Sequence, residues 1–106
     1  MPFHELNELG VKEPVQGFRG RAVHTDSMTV VHWDIDDGSE MPPHSHPHEQ
    51  IVNLVEGSFE LVVADETRAL VPGSVVTIAP NVPHGGRALS DCRIVDAFHP
   101  VREDMR

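Results

Sequence analysis

The stretch that decides the fold is HSHPHEQ, residues 44–50, in which three histidines alternate with other residues and an amide follows. In an extended strand alternate side chains point to the same face, so His44, His46 and Gln50 are expected to converge. Imidazole is the commonest metal ligand among protein side chains at neutral pH. The pattern therefore predicts a metal site. The alternative interpretations are a His-rich surface loop and an expression tag, but a tag would lie at a terminus.

Short segments rich in β-forming residues lie on both sides of this stretch, divided by turn residues. The predicted strands are residues 19–24, 28–35, 50–55, 59–63, 68–71, 74–78, 86–89 and 92–98. The lack of a helical segment long enough for a βαβ unit predicts an all-β fold. With an inward-facing metal site, a small closed or double-sheet barrel fits better than an open sandwich. We expect one domain over residues 1–106, with an N-terminal arm (1–18), a barrel (19–99) and a tail (100–106).

Composition narrows the range of partners. The chain of 106 residues has a net charge of −9, which disfavours nucleic acid and anionic membranes. A small anionic substrate remains compatible if a metal or a local arginine supplies positive charge. A domain of this size buries a limited fraction of its surface, so we expect a homodimer. The single cysteine, Cys92, and the lack of a signal or an 18-residue apolar run predict a cytoplasmic protein.

Two spacings resemble the signatures of the cupin superfamily. The first runs from Gly38 through His44, His46 and position 50 to Gly57, and the second from Gly73 through positions 79 and 81 to His84. The resemblance implies a double-stranded β-helix barrel. It also implies one divalent metal held by His44, His46, Gln50 and His84, whose identity (zinc, nickel, iron, manganese or cobalt) the ligand types leave open.

The sequence departs from the cupin pattern in ways that affect the chemistry. Ala79 replaces the usual proline, Asn81 replaces a glycine but tolerates left-handed backbone, and Ala88 stands where an asparagine is common. The usual ligand glutamate falls at Gln50, so the ligand set would be neutral and the ion would keep its full charge for an anionic ligand. Glu49 has the opposite strand parity, which favours Gln50 as the ligand.

The ending Asp96-Ala97-Phe98-His99-Pro100-Val101-Arg102, together with HSHPHEQ, resembles the KdgF-type cupins of pectin and alginate catabolism. Members of that family open the ring of 4,5-unsaturated monouronates to give linear keto-uronates. The resemblance implies that Asp96 is the acid/base carboxylate, Phe98 an aromatic wall of the site and Arg102 a substrate contact.

The residues themselves leave alternatives open. Asp96 and Phe98 share the parity of Cys92 and Ile94 on the last predicted strand, so they are expected to face inward. For Asp96 the alternative is a salt bridge with Arg93 or Arg102. For the whole chain the alternatives are an Fe(II) dioxygenase of the cupin type and a non-catalytic module that binds a metal or small ligand. His48 is interpreted as a residue that supports the ligands from behind or lies at the rim of the site. The remaining histidines are interpreted as structural or exposed, with a place in the pocket wall as the alternative for His32: His4, His24, His32 and His99.

Overall fold

Two antiparallel sheets form the fold in the computed structural model, which describes residues 2–106. The strands are β1 (Val11–Val15), β2 (Phe18–His24), β3 (Thr29–Ile35), β4 (Glu40–His44), β5 (Glu49–Glu56), β6 (Phe59–Val63), β7 (Glu66–Leu70), β8 (Val75–Ile78), β9 (His84–Ala88) and β10 (Cys92–His99). The six-stranded sheet has the order β1-β2-β3-β10-β5-β8, and the four-stranded sheet has the order β4-β9-β6-β7. The predicted all-β fold is confirmed.

Buried and more exposed residues alternate along the strands, which places the hydrophobic core between the two sheets. In β3 and β10 every second residue is buried, beginning with Thr29 and Cys92 respectively. The buried apolar side chains come from both sheets, as period-two strands with one covered face require.

The strand register sets which inward residues are neighbours. Phe98 on β10 lies opposite Thr29 on β3 and Gln50 on β5. Asp96, two residues earlier, lies between Val31 and Val52 in the same way. Gln50 and Asp96 are therefore diagonal neighbours on the inner face of the six-stranded sheet.

Two strands lie in segments that the sequence did not predict as strands. The predicted N-terminal arm contains β1, which pairs with β2, and Phe18 belongs to β2 and is buried. β4 passes through Pro42 and Pro43 before it reaches His44. Both β1 and β4 are edge strands, where a proline removes no ladder hydrogen bond that the sheet needs.

Two single-turn 3-10 helices, Leu6–Glu8 and Glu103–Met105, flank the strands, the second within the predicted tail. Within residues 2–106 no helix is long and apolar enough to cross a membrane. Asn81 has a φ of 66°, so this turn keeps the left-handed backbone that the sequence analysis expected.

Candidate metal and substrate site

Three of the four predicted metal ligands are histidines that the structure brings together. His44 at the end of β4 lies opposite His84 at the start of β9, and His46 lies in the loop that follows β4. One nitrogen of each ring lies within 4.8 Å of one nitrogen of each of the others. The cluster has the composition and the size of a metal-binding site.

The convergence has a different cause from the one that strand parity predicts. His44 ends a strand of the four-stranded sheet, whereas Gln50 lies in β5 of the six-stranded sheet. The prediction that His44, His46 and Gln50 lie on one extended strand is therefore wrong. The side chains meet because the chain crosses between the sheets at this point, and because β9 pairs with β4.

The three imidazoles are held in the same tautomer. Nδ1 lies within hydrogen-bond distance of a backbone carbonyl in each ring: 2.9 Å from Pro42 for His44, 3.0 Å from His48 for His46, and 2.9 Å from Val82 for His84. A carbonyl oxygen only accepts, so each Nδ1 carries the proton and each Nε2 keeps its lone pair. Such backbone bonds are typical of histidines that bind metals.

The Nε2 atom of His84 lacks the partner that a purely structural cluster would provide. Nε2 of His84 is buried without a hydrogen-bond partner among the described residues. Burial, assisted by the nearby histidines and Arg102, lowers the pKa of His84 to about 4 despite the Val82 hydrogen bond. Burial and the charge of Arg102 also lower the pKa of His46. Both rings are therefore neutral at pH 7, the form that binds a metal.

Gln50 is the fourth predicted metal ligand, and its side chain lies next to the histidine cluster. Its side chain is 7% exposed, and Oε1 lies 3.0 Å from Nε2 of His46. Both atoms carry lone pairs and neither carries a proton, so a cation between them would satisfy both. Glu49, the neighbouring carboxylate, is exposed. The donor set of three imidazoles and one amide fits a divalent ion.

Asp96 is a buried carboxylate next to this set. Its residue is 8% exposed, and Oδ2 accepts a hydrogen bond of 3.1 Å from the indole N–H of Trp33. Oδ1 has no partner within residues 2–106. Burial raises the pKa of Asp96 to about 7, although Gln50, Trp33 and Arg102 favour the charged form. The carboxyl can therefore both accept and donate a proton near neutrality.

Arg102 and Phe98 form the adjoining wall. The guanidinium carbon lies 4.6 Å from the centroid of the Phe98 ring, in a cation–π arrangement. Nε and Nη2 donate to the two carboxylate oxygens of Asp104, at 2.9 and 2.7 Å. The alternative of an Asp96 salt bridge with Arg93 or Arg102 is not formed among the described residues.

A cavity of about 370 Å³ connects these groups, which is large enough for a small molecule. Its polar lining includes His44, Gln50, His84, Asp96 and Arg102. Trp33 and Met105 belong to the apolar part of the lining, and sequence analysis missed both. The inward parity of Trp33 on its strand could have indicated this position, but nothing local indicates that Met105 returns to the cavity.

His48 contacts both the C-terminal segment and His46 of the ligand set. Its Nε2 lies 3.3 Å from the carbonyl oxygen of Val101, and its ring is edge-on to His46 with centroids 5.3 Å apart. Residue 48 thus lies between His46 and the C-terminal segment.

Comparison with known proteins agrees with this geometry. Residues 31–98 match the model of the cupin domain. Over 98% of its length the chain is 30% identical to the pectin degradation protein KdgF of Dickeya dadantii (strain 3937), of which it covers 90%.

Solved structures show the same relationship. The structure of KdgF from Halomonas sp. superposes with a TM-score of 0.92 at 31% identity, covering 100% of this chain and 99% of that one. An RmlC-like cupin from Shewanella frigidimarina superposes with a TM-score of 0.94 at 25% identity, covering 100% and 96%. The chain belongs to the cupin family, and within that family it is related to KdgF over nearly its whole length.

Proposed function

We propose that the chain is a metal-dependent enzyme that opens the ring of a 4,5-unsaturated monouronate to give a linear keto-uronate. The observation that carries this proposal is the buried Asp96 carboxyl, which lines the same cavity as His44, Gln50, His84 and Arg102. The similarity to a pectin degradation protein supports a uronate as the substrate class.

His44, His46, Gln50 and His84 would hold one divalent ion, which when bound would supply Lewis acidity toward an anionic oxygen of the substrate. Its identity follows from metal availability as much as from the ligands. The neutral ligand set leaves the full positive charge of the ion to attract a carboxylate.

Asp96 moves the proton in this scheme. The proton of the anomeric hydroxyl passes to the Asp96 carboxylate, the bond between C1 and the ring oxygen breaks, and its electron pair goes to that oxygen. This gives an aldehyde at C1 and an enolate at C5. Return of the proton to C4 gives the ketone and restores the carboxylate, so no external reactant is needed. A pKa of about 7 suits a group that must take and return a proton.

Arg102 binds the uronate carboxylate, and the face of the Phe98 ring stabilises the guanidinium through the cation–π contact. The ion pair with Asp104 uses Nε and Nη2. The Nη1 donors remain for the substrate, and Asp104 keeps the guanidinium in one orientation.

The ultraviolet band of the conjugated enol ether tests the proposal, because ring opening removes it. Wild type should consume a lyase-generated unsaturated monouronate, and His46→Ala should lose both its metal and its activity. Arg102→Ala should retain the metal and mainly raise KM, since it removes a contact made in the ground and transition states alike. His4→Ala is the matched control. Ligand binding by metal-loaded wild type without turnover would instead favour the non-catalytic binding module.

We also propose that the outer face of the six-stranded sheet pairs with a second copy of the chain. Ile51, Val55 and Val75 lie on this face and are 44%, 49% and 61% exposed, whereas water-facing positions of an antiparallel sheet are normally polar. A two-fold axis would bury the same patch on both copies. Light scattering should give a dimer for wild type and a monomer for Ile51→Lys with Val55→Lys. Leu89→Lys, at another exposed apolar residue, is the control.

A further inference from the structure

A buried hydrogen-bonded link joins the start of β3 to the C-terminal segment 101–106, which we call the strap. Thr29 is 0% exposed and lies opposite His24, the last residue of β2. Its Oγ1 accepts the backbone N–H of Arg102 at 2.9 Å and lies 2.8 Å from Nδ1 of His24. Nε2 of His24 lies 3.2 Å from the carbonyl oxygen of Met105.

The chemistry of these groups determines which atom donates and which accepts in each hydrogen bond of the link. The Met105 carbonyl only accepts, so Nε2 of His24 is the donor. In the neutral ring Nδ1 is then an acceptor, and the Thr29 hydroxyl donates to it. The same hydroxyl oxygen uses a lone pair for the Arg102 N–H. One threonine and one histidine thus bond to the strap at two points.

Besides this link, the strap is held by the packing of Met105 in the hydrophobic core and by a few hydrogen bonds. It belongs to neither sheet, and its remaining contacts to the barrel include the Lys12 side chain on the Arg106 carbonyl and His48 on the Val101 carbonyl. It nevertheless carries two cavity-lining side chains, Arg102 and Met105, and Met105 is only 7% exposed. Met105 packs in the hydrophobic core and Arg102 lies against the Phe98 ring, and the bonds to Thr29 and His24 fix the strap backbone from which both side chains project.

We propose that Thr29 and His24 are positioning residues, which set Arg102 and Met105 at the mouth of the cavity and thereby determine substrate affinity. The part that concerns affinity rests on the proposed function, in which Arg102 binds the uronate carboxylate. Neither Thr29 nor His24 is among the residues that line the cavity, so their effect reaches the substrate through the strap.

Two measurements that do not require turnover test the position of the strap. The first is hydrogen exchange of the Arg102 amide, whose acceptor is Thr29. The second is acrylamide quenching of Trp33, the only tryptophan, which lines the same cavity as Met105. Thr29→Val should speed Arg102 exchange about tenfold, the effect of losing one hydrogen bond, and should raise quenching. Thr29→Ser, which keeps the hydroxyl, should behave as wild type.

Control variants separate positioning from general stability. Val31→Ala truncates the next inward residue of β3, at 0% exposure, and should lower stability without changing Arg102 exchange relative to the global rate. His24→Leu, at a half-buried position, removes the hydrogen bonds of His24 to Thr29 and to the Met105 carbonyl. This variant replaces Thr29→Val in the test if Thr29→Val folds poorly. Because both act on one link, the double variant should exceed neither single variant by much.

In the uronate assay Thr29→Val should raise KM several-fold with metal content and kcat nearly unchanged. Unchanged Arg102 exchange and quenching in both Thr29→Val and His24→Leu would overturn the positioning role. So would an equal rise of KM in Val31→Ala. If wild type does not turn over uronates at all, the proposed function fails, whereas exchange and quenching still decide whether Thr29 and His24 position the strap.

Discussion

The amide oxygen of Gln50 lies 3.0 Å from Nε2 of His46, so that two lone pairs face each other inside the barrel. On its other side Gln50 stabilises the charged form of Asp96. The neutral amide therefore offers its oxygen to the metal ligands and favours the charged form of the buried carboxylate, whereas a carboxylate at this position would repel it.

Gln50→Glu should bind a divalent ion as tightly as wild type or more tightly, yet turn over an anionic substrate more slowly. The added charge lowers the effective charge of the ion, and it faces Asp96 without an N–H to donate. Metal titration and the ultraviolet assay on the same samples measure both effects. Unchanged turnover would show that the neutral ligand set is incidental.

Asp96→Asn should lower kcat by ~10²–10⁴-fold, the usual contribution of a general acid or base, and should leave metal content intact. The side chain keeps its shape, and its amide oxygen can still accept from Trp33. Elemental analysis and kcat are measured together with the melting temperature. A fall in activity that merely follows the loss of folded protein would contradict the catalytic role.

The buried carboxyl also gives the metal-free protein a distinctive pH dependence. The pKa of Asp96 rises from 3.8 to about 7 on folding, so between these values the unfolded chain binds fewer protons than the folded one. The contribution of Asp96 to the free energy of unfolding must therefore fall as pH rises from about 4 to about 7.

The contribution of His84 to the free energy of unfolding changes with pH in the opposite direction over part of the interval from pH 4 to pH 7. Its pKa falls from 6.5 to about 4 on folding, so its contribution to stability is lost as pH decreases through that window. Subtracting the unfolding free energy of Asp96→Asn from that of wild type at each pH isolates the carboxyl. The difference should decrease from pH 4 to pH 7, and a difference that is flat or rising would contradict the buried protonated state.

Gly20→Ala should displace the Trp33 ring. Gly20 lies opposite Trp33 on β2, and an added Cβ would lie 2.6 Å from Cζ3 of the indole. Overpacking of this kind costs about 1–3 kcal/mol, and here it would also disturb the indole bond to Asp96. Tryptophan fluorescence, denaturation and kcat should all change. Gly10→Ala, with no atom within 4 Å of the new Cβ, should change none of them.

Much of this architecture follows from local pattern. The alternation of TVVHWDI in β3 fixes its inward face without reference to other strands, and the left-handed turn at Asn81 follows from its side chain. Strand β4 could not be predicted in this way, because Pro42 and Pro43 oppose a strand unless the strand lies at an edge. Whether it does so is a property of the assembled sheet.

The candidate site shows the same limit. The family resemblance predicted one ligand set of His44, His46, Gln50 and His84, whose side chains lie close together. The residues themselves suggested one shared strand, which does not exist. His24 shows the limit most clearly: nothing near it in the sequence predicts contact with Met105, which lies 81 residues away along the chain. Pairings between distant segments depend on topology, which local composition does not encode.

The candidate ligands are divided between the two sheets, with His44 and His84 on the four-stranded sheet and Gln50 on the six-stranded one. An ion bound by all three would fasten the two halves of the barrel together at its mouth. In the unfolded chain these side chains are not assembled, so binding would favour the folded state by mass action. The temperature at which the protein melts would then track the free concentration of its metal, and a cell short of that metal would lose the protein through turnover of unfolded chains before it accumulated an inactive folded form.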